Sequence, residues 1–341
     1  MSFLPQTRER TCLVGERPPH SNTGGKVTST EDAAWSECRA DHAAKLARYS
    51  RGRDRSIGLA AFLRSGEVTT PLGLDEATKR ARALEQCGGW LEFREFIDAD
   101  KVQLSGGRFC QQPKLCPICA LRRAGRSIRR AVEVIGVVLA ERSRLRPYLV
   151  TVTVRNGPDL GERHSHLHRG LRCLIQRRRD SLRGAGRSLM AGVEGGIWAV
   201  ELKRGNGSSE WHPHSHAVWL CREQPSSVEL SREWRSVTGD SFIVDVRPFH
   251  NPDEPGPDLC EVFKYALKLG DLTFADNVEA FSALRGRHLI GSFGCLRGVK
   301  LEEDADDDLG PDLAYIDLLY RHVLGDGYEL VRSRMGLGQP I

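Results

Sequence analysis

The chain has 341 residues, of which 40% are hydrophobic and 28% are charged, and its net charge is +5. This length fits two domains or one domain with long extensions, and the composition is typical of a soluble globular protein. No apolar run approaches the roughly 18 residues that a membrane-spanning helix needs, and the first residues lack the apolar core of a signal peptide. We therefore expect a cytoplasmic protein with no membrane partner.

The N-terminal 55 residues are rich in Arg, Ser, Thr, Gly and Pro and show little periodic apolar pattern. Such a composition predicts a disordered extension over residues 1–55, with room for a short helix over 33–49.

A group of cysteines follows, within a Cys-rich module that we place at residues 56–130. Cys116 and Cys119 have the two-residue spacing of a structural zinc knuckle, and Cys110 and Cys87 are the nearest cysteines that could complete four ligands. A redox pair and a set of buried thiols are the alternatives. Ten cysteines without a secretion signal favour metal ligands or buried thiols over a disulfide framework.

Basic residues are concentrated in the segment that begins at this module. Between Arg108 and Arg187 the chain holds 19 Lys/Arg against 5 Asp/Glu, so the remainder is net acidic. A block of this kind is typical of a surface that binds a polyanion, although a solvated Arg-rich helix is the alternative. The arginines just after the knuckle, Arg122, Arg123 and Arg126, are the predicted phosphate contacts.

Residues 131–300 alternate between strand and helix patterns, which predicts an α+β domain with a mainly antiparallel central sheet and flanking helices. The predicted strands are 149–154, 197–203, the histidine strand that leads into 217–220, and 242–246. The predicted helices are 167–189, 228–237 and 259–269.

The histidine strand opens with His-Pro-His-Ser-His at residues 212–216 and continues into Ala-Val-Trp-Leu. In an extended strand His214 and His216 project to the same side, and neutral imidazole is the commonest metal-binding side chain. The pattern therefore predicts two ligands for one divalent metal, with a solvated loop that happens to hold three histidines as the alternative.

The predicted helix 259–269 carries an unusual tyrosine. Glu261, Tyr265 and Lys268 share one face of it, with Lys264 beside them. The ammonium groups would favour phenolate, which is a better nucleophile than phenol. An amphipathic surface helix with ordinary ion pairs is the alternative.

The last segment, residues 301–341, begins with an acidic run at 302–308 that we interpret as a solvated link. Apolar residues at helical spacing then predict a C-terminal helix over 312–324.

Taken in order, the cysteine segment, the strand ending near Asn156, the His-Pro-His-Ser-His motif and the Glu-x-x-Lys-Tyr-x-x-Lys motif resemble the rolling-circle plasmid replication initiators. These proteins form the single-tyrosine branch of the HUH endonuclease superfamily. The resemblance runs from about Cys87 to Asp271 and implies an HUH-like fold with an upstream zinc knuckle. Ser215 departs from it, because that position is usually hydrophobic in the superfamily.

The resemblance also implies a metal site. His214 and His216 would hold Mg²⁺ or Mn²⁺, with Glu201 as the third ligand and His212 as its competitor. The metal would polarise the phosphodiester that is cut.

The nucleophile implied by the resemblance is Tyr265, which would leave a 5′-phosphotyrosine and a free 3′-OH. Lys268 and Lys264 would stabilise the developing charge, and Glu261 would activate water for the terminating cleavage.

The implied partner is plasmid origin DNA, recognised at a hairpin that exposes single-stranded DNA. Arg155 and Asn156 are further candidate contacts, and a host helicase and DNA polymerase follow from the resemblance alone. Three alternatives stay open: a transposase or relaxase of the same superfamily, a non-catalytic zinc-dependent DNA-binding regulator, and a metallohydrolase that uses water throughout.

Overall fold

The computed structural model describes residues 29–66, 71–96, 99, 101–205, 208–251, 257–259, 262, 272–299 and 314–336. The helices are α1 (Ser29–Ser65), α2 (Leu74–Gln86), α3 (Pro117–Glu141), α4 (Leu160–Leu182), α5 (Ser227–Thr238) and α6 (Phe274–Ala283). The strands are β1 (Trp90–Phe96), β2 (Lys101–Gly107), β3 (Arg146–Thr153), β4 (Val193–Glu201), β5 (His214–Cys221), β6 (Val244–Pro248), β7 (Ile290–Gly294), β8 (Tyr315–Val323) and β9 (Gly327–Gly336).

The larger sheet has five strands in the order β6-β3-β5-β4-β7, and every neighbouring pair is antiparallel. Helix α3 packs on one face of this sheet, and α4 and α5 pack on the other. The predicted fold class, an α+β protein with a mainly antiparallel sheet and flanking helices, is confirmed. The elements predicted between residues 149 and 246 are present with shifted ends.

Strand β5 runs through the middle of the sheet, and its side chains alternate between the two helical layers. His214 and His216 lie on the same face as Val218, which packs against α3. Ala217 and Trp219 face α4 and α5. Because the side-chain period of a strand is two, the buried core at the end of β5 fixes the face on which the histidines lie.

The smaller sheet has four strands in the order β2-β1-β8-β9, again antiparallel throughout. Leu46 and Tyr49 of α1 pack against Phe93 and Leu318 on one face of it. This sheet therefore joins two distant parts of the chain, because β1 and β8 are more than two hundred residues apart in sequence.

The predicted C-terminal helix over 312–324 is wrong, because this segment forms β8. One face of β8 carries Ile316, Leu318 and Tyr320. These side chains lie beside those of the neighbouring strand β1 and pack against α1. The apolar spacing fits a helix locally, but β8 is hydrogen-bonded on both sides, by β1 and by β9. These long-range pairs decide the conformation.

The predicted disorder over residues 1–55 is wrong from Ser29 onward, because α1 spans Ser29–Ser65. The first 28 residues lie outside the described part of the chain. Leu59 and Leu63 of α1 are buried in the cluster that surrounds the four predicted zinc cysteines. The short helix expected over 33–49 lies within α1, but the full length was not predicted because the apolar residues of α1 are sparse. The helix contacts α2, α3 and β9, and such tertiary contacts supply most of the stability of a helix.

Ser215 is the one residue between the two histidines, and it points to the opposite face of β5. It is fully buried, and its hydroxyl has no hydrogen-bond partner among the described residues. The side chain lines a small apolar cavity with Val152, Leu174 and Trp198. A buried hydroxyl without a partner lowers stability, because it loses its hydrogen bonds to water.

We expect Ser215→Ala to raise the free energy of unfolding by about 1 kcal/mol, because it removes this buried polar group. Urea denaturation measures the change. The matched control is Ser241→Ala, at a buried serine whose hydroxyl accepts from the Arg155 amide at 2.9 Å and donates to Asp240 at 2.6 Å. This control should lose about 1 kcal/mol or more. Equal losses of unfolding free energy in Ser215→Ala and Ser241→Ala would contradict the conclusion that the Ser215 hydroxyl has no hydrogen-bond partner.

Candidate metal centre

The pairing of β4 with β5 brings a carboxylate to the two histidines. Glu201 is directly opposite His214, and Ala199 is opposite His216. Side chains of directly opposed residues lie on the same face of a sheet. Oε2 of Glu201 lies 2.5 Å from Nε2 of His214 and 3.1 Å from Nε2 of His216. Three of the four candidate ligands, Glu201, His214 and His216, therefore converge on one point.

This group is largely shielded from water. Glu201 is 7% exposed and His214 is 3% exposed, whereas His216 opens partly to solvent. Burial opposes ionisation of Glu201, but the hydrogen bonds with His214 and His216 outweigh it and lower the pKa of the carboxyl to about 2. Glu201 is thus a carboxylate at neutral pH, which is the form that binds a cation.

The second nitrogen of each imidazole has its own partner. Nδ1 of His216 lies 3.0 Å from Oγ1 of Thr151 on β3, and Nδ1 of His214 lies 3.3 Å from the carbonyl oxygen of His212. Both Nε2 atoms therefore face Glu201. The ligand atoms of Glu201, His214 and His216 all lie within 4.8 Å of one another, so the group could hold a metal ion.

His212, the other candidate for the third position, has a different environment. Its Nδ1 lies 2.5 Å from Oδ1 of Asn156, and its ring does not belong to the group formed with Glu201. Burial, and then the neighbouring His214, lower the pKa of His212. The geometry therefore favours Glu201 over His212 as a ligand. The His212 ring instead forms a hydrogen bond with the Asn156 amide oxygen.

The tyrosine motif lies almost entirely outside the described residues, which include none of Glu261, Lys264, Tyr265 and Lys268. Two residues in or next to it are described: Leu259 precedes the motif, and Val262 lies within it. Leu259 and Val262 are both buried, and they pack with Leu149 and Val218 on the face of the sheet that carries the histidines.

The four predicted zinc cysteines form a second group that could hold a metal ion. Sγ of Cys87 lies 3.4 Å from Sγ of Cys116 and 3.6 Å from Sγ of Cys119, which is also 3.6 Å from Sγ of Cys110. All four are free thiols within 4.8 Å of one another. Four thiolates at about 2.3 Å from a tetrahedral zinc ion would be slightly under 4 Å apart, so the cluster fits such an ion.

Local structure explains how these cysteines meet. Cys116 is the N-cap of α3, and Pro117 occupies the first helical position, where a missing N–H has no cost. Cys87 ends α2, and the chain turns at Gly88 with φ +72°, where a side chain would collide with Ile118. Hydrogen bonds from the other three thiols lower the pKa of Cys119.

The predicted DNA-contacting arginines lie on the outside of the fold. Arg122 stacks on Phe109, with its guanidinium carbon 3.5 Å from the ring centroid. Arg123 and Arg126 are exposed on α3, and Arg155 is exposed after β3. These positions leave Arg123, Arg126 and Arg155 accessible to a large ligand.

Sequence reasoning missed two residues that make structural contacts near the metal-binding groups, Thr151 beside His216 and Lys114 in the cysteine segment. Thr151 contacts His216, and its only signal in the sequence is that it belongs to a β-branched stretch typical of a strand. Lys114, between two of the cysteines, donates to the carbonyl oxygens of Leu284 at 2.8 Å and Arg287 at 2.6 Å. No short motif marks such a lysine, because its acceptors are backbone groups far along the chain.

The geometry defines a class of protein: an antiparallel α+β domain with a Glu-His-His metal-binding group, joined to a four-cysteine module. A family model described as "Replication protein" matches residues 101–319, which is more than half of the chain. The chain therefore belongs to this replication-protein family, which confirms the resemblance to plasmid replication initiators.

Three relatives named "Protein rep" are similar over most of their length. The protein from Bacillus sp. is 25% identical over 73% of this chain and 89% of its own. The protein from Bacillus amyloliquefaciens is 24% identical over 82% and 89%, and that from Streptococcus pneumoniae serotype 2 is 24% identical over 79% and 86%. No solved structure matches the chain. None of the described helices is long and apolar enough to cross a membrane.

The Glu-His-His group predicts how the protein responds to a divalent cation. We expect Glu201→Gln to weaken Mn²⁺ binding at least about tenfold, because the substitution keeps the shape and removes the charge that holds the cation. Isothermal titration calorimetry measures this. Glu194→Gln changes the same residue type at the other end of β4, where Glu194 pairs with Arg142 and Arg222 at the surface. An unchanged Mn²⁺ affinity in Glu201→Gln would refute the assignment.

Proposed function

We propose that this protein initiates plasmid replication by cutting one strand of the origin DNA and joining the 5′ end to Tyr265. The observation that carries the proposal is the buried convergence of Glu201, His214 and His216. A divalent ion held there, Mg²⁺ or Mn²⁺, would polarise the phosphodiester and neutralise charge as its bond breaks.

The position of Val262 supports Tyr265 as the nucleophile. Val262 packs on the histidine face of the sheet, and Tyr265 follows it by three residues. Val262 is the described residue nearest to Tyr265 in sequence, and it lies on the same face of the sheet as the metal ligands.

In the proposed reaction the phenolic oxygen of Tyr265 attacks the phosphorus atom and forms a phosphotyrosine bond. The bond from phosphorus to the 3′ oxygen breaks, and this oxygen takes up a proton to give a free 3′-OH that can prime synthesis. A phosphotyrosine diester replaces the DNA phosphodiester, so the strand can be rejoined without a nucleoside triphosphate.

Three charged residues beside Tyr265 complete the proposed site. Lys268 and Lys264 stabilise the phenolate and the phosphate charge. Glu261 acts as the general base that activates water for the terminating cleavage. A hydrolytic second cut explains how a single tyrosine suffices.

We assign DNA binding to the exposed arginines of α3 and to Arg155, with a hairpin or single-stranded region of the origin as ligand. Helix α3 leads from the cysteine cluster to the histidine face of the larger sheet. Arg123 and Arg126 are exposed on this helix, and in our proposal they guide a strand toward the metal. We assign nicking and strand transfer to residues 131–300, with a host helicase and polymerase acting in the cytoplasm on the exposed 3′ end.

We assign zinc to the cluster of Cys87, Cys110, Cys116 and Cys119, as a structural ion in the module over residues 56–130. Cys87, Cys116 and Cys119 are buried and Cys110 is half-buried, within the cluster formed with α1 and α2. A closed tetrahedral shell of thiolates contributes to folding rather than to chemistry.

The nucleophile is tested on a denaturing gel with the supercoiled plasmid that carries the origin, in Mn²⁺ or Mg²⁺. We expect a protein-linked DNA species with the wild type and none with Tyr265→Phe, because only the phenolic oxygen can form the link. Nicking without a linked species would identify a hydrolase that uses metal-activated water. Binding without nicking would identify a non-catalytic DNA-binding regulator. A linked species with cleavage at an element end or transfer origin would identify a transposase or relaxase.

The zinc assignment has its own test. We expect Cys116→Ser to lose the bound zinc and to lower the melting temperature by about 10 °C, because the metal stabilises only the folded state. Zinc content by mass spectrometry and thermal unfolding measure both effects. The control is Cys173→Ser, at an exposed cysteine outside the cluster. Loss of DNA binding with an unchanged melting temperature would instead make the cluster a recognition element.

A further inference from the structure

Three polar residues beside the metal-binding group have no role in the function proposed above: Thr151, Asn156 and His212. The Thr151 hydroxyl lies against the ring of His216, and the His212 carbonyl lies against the ring of His214. The Asn156 amide bonds to the ring of His212. We propose that they are positioning residues, which fix the orientation and the tautomer of His214 and His216 so that both Nε2 atoms face the metal. This inference rests on the proposed function, because it assumes a cation at the Glu201 group.

Thr151 positions His216 from the neighbouring strand. The two residues are directly opposite in the pairing of β3 with β5, and Oγ1 of Thr151 lies 3.0 Å from Nδ1 of His216. The β-branched threonine has few side-chain conformations, so its hydroxyl is held in place. A hydroxyl that accepts from Nδ1–H leaves the lone pair of a neutral imidazole on Nε2, and Nε2 is the atom that faces Glu201.

His214 is fixed by the backbone of His212. The carbonyl oxygen of His212 lies 3.3 Å from Nδ1 of His214, and a carbonyl can only accept. Nδ1 must therefore carry a proton, so when a cation replaces the hydrogen bond from Nε2 to Glu201 the lone pair of the neutral ring lies on Nε2. Both ligand histidines can thus present the same tautomer to a cation: the His212 carbonyl imposes it on His214, and the Thr151 hydroxyl is placed to accept from Nδ1 of His216 in that tautomer.

The carbonyl of His212 can do this only if the segment around it is rigid. Oδ1 of Asn156 accepts from Nδ1 of His212 at 2.5 Å, and the amide of His212 donates to the carbonyl of Lys203 at 2.8 Å. One residue earlier, Trp211 and Gly157 exchange two backbone hydrogen bonds, at 2.8 and 3.1 Å. His212 is therefore held from both sides, and Asn156 acts on the metal ligands through it.

Two neighbouring residues, Gly205 and Trp211, support the position of Asn156 and His212. A side chain at Gly205 would collide with the amide nitrogen of Asn156, so a glycine leaves the space that the Asn156 amide occupies. The Trp211 ring is completely buried, and its Nε1–H donates to Glu279 of α6 at 2.5 Å. The segment that carries His212 is thus anchored to the helical layer as well as to the sheet.

The test compares Mn²⁺ affinity in variants that keep or remove each bond, with the full chain and its cysteine-bound metal intact. We expect Thr151→Val to weaken Mn²⁺ binding about tenfold or more, because losing a bond that orients a metal-binding histidine typically costs 10- to 100-fold. Thr151→Ser restores the hydroxyl and should bind within about threefold of the wild type. Isothermal titration calorimetry gives the dissociation constants.

A matched control separates positioning from a general effect on the strand. Thr153 lies on β3 two residues from Thr151, and its hydroxyl donates to the carbonyl of Ile243 at 3.1 Å rather than to a histidine. Thr153→Val should leave the Mn²⁺ affinity unchanged. Equal weakening by Thr151→Val and Thr153→Val, or no weakening by either, would overturn the role of Thr151.

The Asn156 arm is tested in the same way. Asn156→Leu removes the acceptor for His212, whereas Asn156→Asp keeps an oxygen at that position. We expect the leucine variant alone to lose Mn²⁺ affinity, with both variants melting close to the wild type without Mn²⁺. Loss of stability together with unchanged affinity would make Asn156 a purely structural residue and would contradict the proposal.

These results are separable from failure of the proposed function. If wild-type protein and Glu201→Gln bind Mn²⁺ equally, the metal assignment itself fails. If Glu201→Gln loses Mn²⁺ and Thr151→Val and Asn156→Leu do not, the metal assignment stands and the positioning role is refuted.

Discussion

The register between β4 and β5 is the constraint on which the metal-binding group depends. It sets Glu201 opposite His214, so that one carboxylate oxygen meets both imidazoles. A slip of one residue would move every side chain of one strand to the other face of the sheet. The slip is prevented by the apolar ends of the same strands, because Val218 and Ile197 are buried against α3 while Trp219 and Trp198 are buried against α4 and α5. Packing at one end of the sheet thus determines geometry at the other.

Helix α3 connects the two metal-binding groups of the protein. Its first turn carries Cys119 and Ile118 into the cluster formed with α1 and α2, and its later turns carry Val134 and Val138 onto the histidine face of the larger sheet. Because one continuous helix belongs to both cores, the cysteine module is not free to reorient relative to the sheet. Lys114 strengthens the connection through its two bonds to the chain that follows α6.

The sequence predicted the parts of the protein whose determinants are local. The spacing of His214 and His216 predicted a shared side, and the four cysteines predicted a common cluster, because strand period and knuckle spacing are short-range properties. Residues 312–324 show where this fails: their apolar spacing fits a helix, and only pairing with β1, far away in sequence, makes them a strand. The same limit hid Thr151, since a hydroxyl beside His216 becomes visible only once β3 is known to pair with β5.

The polar group at the start of β5 has an energetic cost that the rest of the sheet offsets. A buried carboxylate loses its hydration, and Glu201 stays ionised because its hydrogen bonds with two imidazole rings outweigh that loss. The buried polar groups are confined to one end of three adjacent strands, β3, β5 and β4. There Glu201 bonds to His214 and His216, and Thr151 bonds to His216. From Ala217 onward β5 is apolar on both faces and is covered by helices on both sides. The well-packed apolar part of β5 therefore holds the polar residues at its start in a fixed geometry. A preorganised metal site requires this rigidity.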